Sequence, residues 1–346
     1  MAGASVEMNR NIENQCSLRV VRVIASGGMG TVSEAIQFGA GGFEKRVAIK
    51  EILPGSANKP GFEEMFVDEA KLVANLVHEN IVQIYQLNRC DAGLYIVMEF
   101  VNGLALSDFI MQHKTGPDKT EIPIELAVFI VSRIARGLAY AHSRCDIAGQ
   151  PLNIVHRDVC PRNILISTEG LPKLGDFGIA NASTMESGDG GFVGKLSYVA
   201  PEQATCADVD FRADIFSLGM VLFEMLALKS CRSKWNEELF KAAFNGLVDW
   251  DALPADLDER LMKILKSMLA VEVEKRYQST DELAHDLEYF IYGTGYGPTV
   301  VTLEKYMRNV IPCLYEINSN SESLVHRSTY APDASTRIGP RDRTIL

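Results

Sequence analysis

The chain has 346 residues, of which 47% are hydrophobic and 23% charged, as is usual for a globular protein of one large or two modest domains. Its formal net charge of −11 argues against a nucleic-acid or anionic-membrane surface, because either would favour a basic excess. The seven cysteines form no CxxC pair and no metal-ligand spacing, which is typical of a reducing cytosol. The most apolar segment, residues 215–228, contains Glu224 and is too short to span a bilayer. We therefore expect a cytoplasmic protein with no membrane span, no secretory leader and no nucleic-acid partner.

The first hundred residues predict a small antiparallel sheet with one helix. Glycine-rich turns separate the first three strand-like runs, and apolar residues recur with helical spacing over residues 62–77. The predicted strands are residues 18–24, 32–36, 47–49, 81–87 and 94–100.

Beyond Gly103 the pattern becomes helical, and we see no internal repeat. The predicted helices are residues 124–142, 212–228, 261–269 and 281–289, of which the second is apolar on nearly every side and should be buried. The sequence thus predicts an α+β protein in which a strand-rich lobe joins a helical lobe near residues 101–103. We divide it into a flexible N-terminus (1–17), a domain of two lobes (18–101 and 104–295) and a C-terminal extension (296–346). This extension is rich in Ser, Thr, Arg and Pro, and we expect disorder beyond about residue 312.

The stretch "IASGGMGTV", residues 24–32, lies between two predicted strands. Its bare backbone amides could fold over a polyphosphate without obstruction by side chains. Taken alone, the stretch is a weak signal that fits an ordinary hairpin turn better. It is neither a Walker A loop nor a dinucleotide-binding turn, since no helix follows it.

Lys50 and Glu69 form a candidate ion pair. Lys50 ends the predicted strand "RVAIK", and Glu69 lies on the apolar stripe of the next helix, between Phe66 and Val73. A carboxylate on a core-facing stripe is costly unless a cation pairs with it, and Lys50 is the natural candidate. The alternative is a solvated lysine with a glutamate that reaches solvent.

Two short loops carry the polar groups of a candidate magnesium site. The first, "HRDVCPRN", contains Asp158 and Asn163, and the second, "KLGDFGIA", contains Asp176. Oxygen ligands from Asn163 and Asp176, completed by phosphate oxygens and water, suit Mg²⁺. Asp158 would then accept or orient the proton of a hydroxyl group.

Together these segments and the "APE" triplet at residues 200–202 have the order and spacing of the protein-kinase signature set. From about residue 18 to 292 the chain resembles a serine/threonine protein kinase. It is most similar to the bacterial eukaryotic-type kinases, especially the myxobacterial kind, in "GFEKRVAIK", "DIAGQPLNIVHRD" and "GKLSYVAPEQ". In that family the stretch "HRDVCPRN", residues 156–163, would be the catalytic loop, and here it lacks the "AAR" or "RAA" of tyrosine kinases.

The resemblance implies a bilobal kinase fold, ATP with Mg²⁺ (or Mn²⁺) as cofactors, and transfer of the γ-phosphoryl group to Ser or Thr hydroxyls of proteins, including the chain itself. Lys50 would hold the α and β phosphates and pair with Glu69; Asn163 and Asp176 would bind the metal; Asp158 would be the catalytic base. Met98 would be the gatekeeper. The residues that contact the nucleotide would be Lys50, Ile24, Ala25, Ser26, Gly27, Gly28, Met29, Gly30, Thr31, Val32, Ala48, Met98, Glu99, Val101 and Leu165.

The resemblance also implies supporting contacts and a regulatory segment. Asp214 would anchor the catalytic loop, Glu202 would pair with Arg276, and an apolar spine would join Val73, Ile84, His156 and Phe177. The activation loop of the family would lie between Asp176 and Glu202. Kinases with an arginine before the catalytic aspartate, as Arg157 is here, commonly need an anion on this loop to order the loop. The candidates for autophosphorylation are Ser183, Thr184 and Ser187, with Asp189 as a possible built-in anion.

Three residues depart from the family pattern. Ala25 replaces the first glycine of the loop, Cys160 replaces the usual catalytic-loop lysine, and Lys195 replaces the threonine that lies against the catalytic aspartate. We expect Lys195 to supply the charge that Cys160 lacks; the alternative is that Cys160 is a redox-sensing thiol. A catalytically weak pseudokinase scaffold is the second hypothesis for the whole chain. The protein substrate and the oligomeric state stay open.

Overall fold

The computed structural model describes residues 17–27, 30–52, 62–90, 93–116, 120–177, 196–205 and 209–316. At residues 52, 62–66, 69, 236 and 237 it describes the backbone alone.

The N-terminal lobe is a five-stranded antiparallel sheet with one helix beside it. The sheet order is β1-β2-β3-β5-β4, and its β-branched residues bury a small cluster that includes Val47, Ile49 and Val97. Register places Val32 opposite Lys50 and Ala48 opposite Met98, so these four residues share one region of the sheet. The elements are β1 (Ser17–Gly27), β2 (Gly30–Phe38), β3 (Glu44–Ile52), α1 (Phe62–Ala74), β4 (Ile84–Cys90) and β5 (Gly93–Glu99).

The C-terminal lobe is mainly helical, with a three-stranded sheet of order β6-β7-β8 at its upper edge. The predicted α+β class and the bilobal architecture are confirmed, and each of the four predicted C-lobe helices is present within three residues of its expected ends. The elements are β6 (Gly103–Ala105), α2 (Leu106–Thr115), α3 (Ile124–His142), β7 (Ile164–Ser167), β8 (Pro172–Leu174), α4 (Pro201–Ala204), α5 (Arg212–Ala227), α6 (Leu239–Phe244), α7 (Glu259–Met268), α8 (Thr280–Tyr292) and α9 (Val300–Val310).

Helix α5 is the central element of the larger lobe. Its residues from Ala213 to Leu226 are all buried, as a helix without a polar face requires. Helix α3 packs against it and against α8. The catalytic loop precedes β7 and is supported from below by α5, which carries the buried Asp214.

The two lobes meet at residues 100–103, and polar contacts fix this linker on both sides. Lys173 on β8 forms an ion pair with Glu99 at 3.0 Å, and the N–H of Thr168 donates to the carbonyl of Asn102 at 2.8 Å. At Gly103 an added Cβ would lie 1.9 Å from the carbonyl oxygen of Ile166. Only glycine therefore allows β6 to approach β7 this closely.

Helix α9 lies in the predicted C-terminal extension, where the sequence analysis marked no helix. Its Leu303 and Met307 are buried, and the Tyr306 ring stacks on His113 of α2. The His113 Nε2 and the Tyr306 hydroxyl are 2.9 Å apart. No helix among the described residues has the length and apolarity needed to cross a membrane.

Candidate active site

The glycine-rich stretch closes the hairpin between β1 and β2. Ala25 pairs with Val32, Ser26 with Thr31 and Gly27 with Gly30. Nothing lies within 4 Å of a Cβ added to Gly27, so the backbone here borders open space where a ligand could sit. Ile24 is exposed on β1, and the predicted nucleotide contacts Gly28 and Met29 lie outside the described residues.

Lys50 reaches Asp176 across the space between the lobes. Its Nζ lies 2.7 Å from Oδ1 of Asp176, and the side chains are 17% and 38% exposed. The sequence places these two residues in one predicted site, but it predicts Glu69 as the partner of Lys50. The side chain of Glu69 lies outside the described part, so that pair stays a prediction.

Asp158 and Asn163 are held together inside the catalytic loop. The amide Nδ2 of Asn163 donates to the carbonyl oxygen of Asp158 at 2.8 Å and to its Oδ2 at 3.1 Å. The backbone at Arg157 and at Asp176 has positive φ, 63° and 52°, a left-handed conformation that costs free energy in residues other than glycine. Surrounding hydrogen bonds must therefore hold both positions.

Asp214 is the group that holds the catalytic loop, and this prediction is confirmed. Its carboxylate accepts the N–H groups of His156 and Arg157, each at 2.8 Å, and lies 2.9 Å from Nε2 of His142. Burial alone would raise the pKa of Asp214, but hydrogen bonds from His142 and from the His156 backbone outweigh it and lower the pKa. The buried carboxylate thus stays ionised and stabilises the strained backbone at Arg157.

The donor set of Asn163 and Asp176 fits a magnesium ion. The N–H of Gly175 donates to the carbonyl of Asn163 at 2.8 Å, which brings Asp176 next to Asn163. Since the amide nitrogen of Asn163 is used on Asp158, its amide oxygen is left for another group. An amide oxygen beside a carboxylate is the hard-oxygen environment that Mg²⁺ prefers.

On the adenine side, Ala48 is buried in the sheet, and Met98 and Leu165 are half-buried. The N–H of Glu99 donates to the carbonyl of Gln83 at 2.8 Å, so its carbonyl is the group that Glu99 can offer to a base. Val101, the other predicted linker contact, is half-buried two residues further on. A small cavity extends behind Met98, lined by Lys50, Val73, Val82, Ile84, Ile96, Met98, Asp176 and Phe177.

The predicted apolar spine is partly visible in this cavity. Val73, Ile84 and Phe177 line it together, and the Phe177 ring lies 4.6 Å from that of His156. His156 itself is fully buried, and its Nε2 lies 3.0 Å from the carbonyl oxygen of Gly175. Three of the four residues therefore line one cavity, and the fourth, His156, contacts Phe177.

Cys160, two residues after Asp158, is buried. Burial, with the negative charge of Asp158, raises the pKa of its thiol to about 12. A reactive or redox-sensing cysteine needs the opposite environment, so this finding argues against the sensor hypothesis. Lys195, the proposed source of the compensating charge, lies outside the described residues.

The predicted pair of Glu202 and Arg276 is confirmed. Nη1 and Nη2 of Arg276 donate to the two carboxylate oxygens of Glu202 at 2.6 and 2.8 Å, a bidentate geometry. Glu202 lies in the first turn of helix α4, whose Gln203 donates to the carbonyl of Arg157 at 3.1 Å. The segment after the activation loop is thereby tied to the residue before Asp158.

The ion pair of Lys173 with Glu99 was not predicted from the sequence. It fixes the carboxylate of Glu99, whose backbone is expected to meet the nucleotide base. The signal was present in "PKL", where a lysine stands between two apolar residues of a short strand. Its partner lies 74 residues away, and spacing alone does not reveal such a contact.

Comparison with known proteins agrees with this geometry. The sequence matches the protein kinase domain family over residues 18–288. The chain therefore belongs to the protein kinase family, within its bacterial eukaryotic-type serine/threonine group.

Three relatives illustrate the likeness. The tyrosine-protein kinase MasK of Myxococcus xanthus is 40% identical over 279 residues, covering 79% of this chain and 42% of MasK. The serine/threonine-protein kinase PrkC of Bacillus subtilis is 38% identical over 210 residues, covering 60% of this chain and 30% of PrkC. A crystal structure of the Mycobacterium tuberculosis PknI kinase domain has a TM-score of 0.60 at 26% identity, covering 79% of this chain and 95% of that domain. The chain spans less than half the length of MasK and of PrkC.

Proposed function

We propose that this chain is an ATP-dependent protein kinase that transfers the γ-phosphoryl group to serine or threonine hydroxyls of proteins. The observation that carries the proposal is the meeting of four groups from three segments: Lys50 of β3 with Asp176 of the loop after β8, and Asp158 with Asn163 in the loop before β7. In a phosphoryl transfer the protein contributes mainly positioning and charge, and these side chains provide both.

Each residue has a distinct task in the proposed reaction. Lys50 neutralises the α and β phosphates, and Asp158 orients the acceptor hydroxyl and takes its proton. Ala48, Met98 and Leu165 enclose the base, and the carbonyl of Glu99 accepts from it. Backbone amides of the stretch of residues 24–32 would cover the phosphates; Gly28 and Met29, two of its predicted contacts, lie outside the described residues. The methyl group of Ala25, where a glycine is usual, should weaken nucleotide binding only modestly.

A divalent cation would be held by Asn163 and Asp176. Mg²⁺, or Mn²⁺ in its place, would neutralise charge that develops on the phosphate oxygens. The strained Asp176 and the Gly175 contact to Asn163 keep the two oxygen donors near each other. Lys195 is proposed as a further charge beside the transferred group.

The nature of the acceptor hydroxyl is part of the proposal, because one relative is named a tyrosine kinase and others are named serine/threonine kinases. The absence of "AAR" or "RAA" after Asp158 favours serine and threonine. A pseudokinase role is the less favoured alternative, since Lys50, Asp158, Asn163 and Asp176 are all retained.

The test is incubation of the purified chain with labelled ATP and Mg²⁺, followed by phosphosite mapping and phosphoamino-acid analysis. We expect phosphoserine or phosphothreonine, with Ser183, Thr184 or Ser187 among the sites. Phosphotyrosine alone would assign the chain to tyrosine acceptors. No transfer to itself or to a generic protein acceptor, together with retained ATP binding, would favour the pseudokinase.

A further inference from the structure

Arg232 is a buried cation that the proposed reaction does not use. It follows α5 in the polar stretch "KSCRSK", yet its side chain has no exposed surface. A buried guanidinium is usually paired with a carboxylate. Among the described residues Arg232 has no carboxylate partner, and its Nε and Nη2 have no hydrogen-bond acceptor.

This arrangement does not favour stability. Burial lowers the pKa of Arg232 to about 10, because the charged form loses its hydration. Unpaired buried N–H groups add to the cost, and an apolar side chain of similar volume would avoid both. The reason for an arginine must therefore lie in the groups that it does bind.

Those groups belong to residues 196–199, which lie just before Ala200, the residue that caps α4. Nη1 of Arg232 donates to the carbonyl of Leu196 at 2.6 Å and to that of Val199 at 2.9 Å. One nitrogen thus bridges both ends of the segment. The hydroxyl of Ser217 on α5 donates to the carbonyl of Tyr198 at 2.8 Å, so the middle of the segment is fixed as well.

The same segment lies beside the catalytic loop. The hydroxyl of Tyr198 is within electrostatic range of Cys160 and Arg162, which follow Asp158 in the chain. Gln203, four residues beyond Val199, donates to the carbonyl of Arg157. Residues 196–199 therefore lie next to the loop that carries Asp158, where a protein acceptor has to come close.

One aromatic ring supports this segment and the start of α4. The guanidinium of Arg232 lies 5.7 Å from the centre of the Phe216 ring, and that of Arg276 lies 4.9 Å from it. Arg276 holds Glu202, and Arg232 holds residues 196–199. The two arginines thus fix consecutive parts of the chain against the same residue of α5.

We propose that Arg232 is a positioning residue for the protein acceptor. It holds residues 196–199 in the shape against which the acceptor chain docks, and it touches neither the nucleotide nor the reacting atoms. The inference rests on the proposed kinase function. It assigns to Arg232 an effect on binding of the acceptor and none on binding of ATP.

The test is a kinetic comparison of Arg232→Met with the wild-type chain, using a protein acceptor that the wild type phosphorylates. The variant loses both carbonyl contacts of Nη1. KM for the acceptor should rise about 10-fold, which corresponds to the free energy of a single charge-assisted hydrogen bond. KM for ATP and the slow hydrolysis of ATP without acceptor should not change. Arg232→Lys, which keeps a donor and the charge, should lie between the two.

Two further variants control the comparison. Arg260→Met removes an exposed arginine on α7, 70% exposed, and should behave as wild type. Ser217→Ala removes a different contact to the same segment, that to the carbonyl of Tyr198, and should also raise KM for the acceptor alone. Should Arg232→Met fail to fold, Arg232→Lys and Ser217→Ala carry the test. An acceptor KM within twofold of wild type, or an equal rise in KM for ATP, would overturn the inference.

Hydrogen exchange of the backbone amides separates this inference from the proposed function. In Arg232→Met, amides of residues 196–199 should exchange faster than in wild type, while those of α3 should not change. If the wild type transfers no phosphate, the proposed function fails and the inference with it, whatever the exchange shows. If the wild type is active and exchange at residues 196–199 is unchanged in Arg232→Met, the inference alone is overturned.

Discussion

The Nζ atom of Lys50 lies 2.7 Å from Oδ1 of Asp176, although 126 residues separate the two in the sequence. The pair joins β3 of the small lobe to the loop after β8 of the large lobe. In the proposed reaction both partners have other tasks, Lys50 on the phosphates and Asp176 on the metal. Because the Lys50 ammonium has further N–H donors and Asp176 has a second carboxylate oxygen, both can contact phosphate and metal from this position.

Lys50→Met should reduce phosphoryl transfer by about 10²-fold to 10³-fold, because it removes a preorganised charge from the phosphates. The lysine is not part of the apolar core, so the melting temperature should stay close to that of wild type. Initial rates with labelled ATP and a thermal melt measure both quantities. A variant that keeps more than half of wild-type activity would remove Lys50 from the proposed site.

Asp158→Asn should reduce transfer to a similar extent while ATP still binds. Asparagine has nearly the same shape and can keep the contact to Asn163, but it cannot accept a proton from the acceptor. Single-turnover rates and a nucleotide titration distinguish the two effects. Lost ATP binding in this variant would instead assign a structural role to Asp158.

Glu202→Ala should lower the free energy of unfolding by about 3 kcal/mol, because it leaves the fully buried Arg276 without its counter-charge. Arg276 keeps backbone acceptors at Ala270, Arg212 and Val271, which limits the loss. Denaturant unfolding measures the change. As a control, Glu272→Ala breaks the exposed pair with Lys275 and should cost less than about 1 kcal/mol. If both variants lose the same free energy of unfolding, burial adds nothing to the contribution of the Glu202–Arg276 pair.

Much of the fold could be predicted from periodicity. The helix predicted at residues 124–142 has those bounds, and the buried helix predicted at 212–228 is Arg212–Ala227. Helices α2 and α9 were not predicted, because their apolar residues are few and mixed with polar ones. Their positions depend on tertiary contacts such as that of His113 with Tyr306, which leave no local pattern.

The candidate site was predictable where a family pattern exists and not where a contact is particular to this chain. Resemblance assigned Asp214 to the catalytic loop and paired Glu202 with Arg276, and the contacts agree. Arg232 could not be found in this way, because a lone arginine among polar residues predicts an exposed side chain. Its burial follows from the packing of residues 196–199 on α5.

Cys160 should resist thiol alkylation at pH 8. Its pKa is raised to about 12 by burial, so its thiolate is about 10³-fold scarcer than that of an ordinary cysteine. Cys145 and Cys313 are exposed and should react first. Mass spectrometry of the alkylated chain measures the order; early modification of Cys160 in the folded protein would contradict the raised pKa.

The same shift predicts how stability depends on alkaline pH. Because the folded pKa of Cys160 is higher than its unfolded value near 9, its contribution to stability is complete below pH 9 and falls as the pH rises toward 12. Cys160→Ser removes this titration and should lose stability less steeply between pH 9 and 11. Parallel pH profiles for wild type and variant would argue against the shift.

The remaining proposal is that Lys195 supplies the positive charge that Cys160 lacks beside the transferred phosphoryl group. Cys160 is small and uncharged, whereas Lys195 is long enough to bring an ammonium group back to the transferred phosphoryl group. Lys195→Met should therefore lower kcat by about 10²-fold to 10³-fold with ATP affinity unchanged. Cys160→Ser should have nearly wild-type kcat, since the protonated thiol carries no charge.

A swap of the two side chains tests the proposal most directly. Lys195→Thr should be as slow as Lys195→Met, and addition of Cys160→Lys should restore part of kcat by returning the usual arrangement. Restoration should be incomplete, because Cys160 is only 4% exposed and a lysine there must extend out of a buried position. If Lys195→Met keeps more than a third of wild-type kcat, the charge at position 195 does not act on the phosphoryl group. Another residue would then have to supply the positive charge that is missing at position 160. The exposed Arg162, two residues further along the same loop, would be the next side chain to substitute.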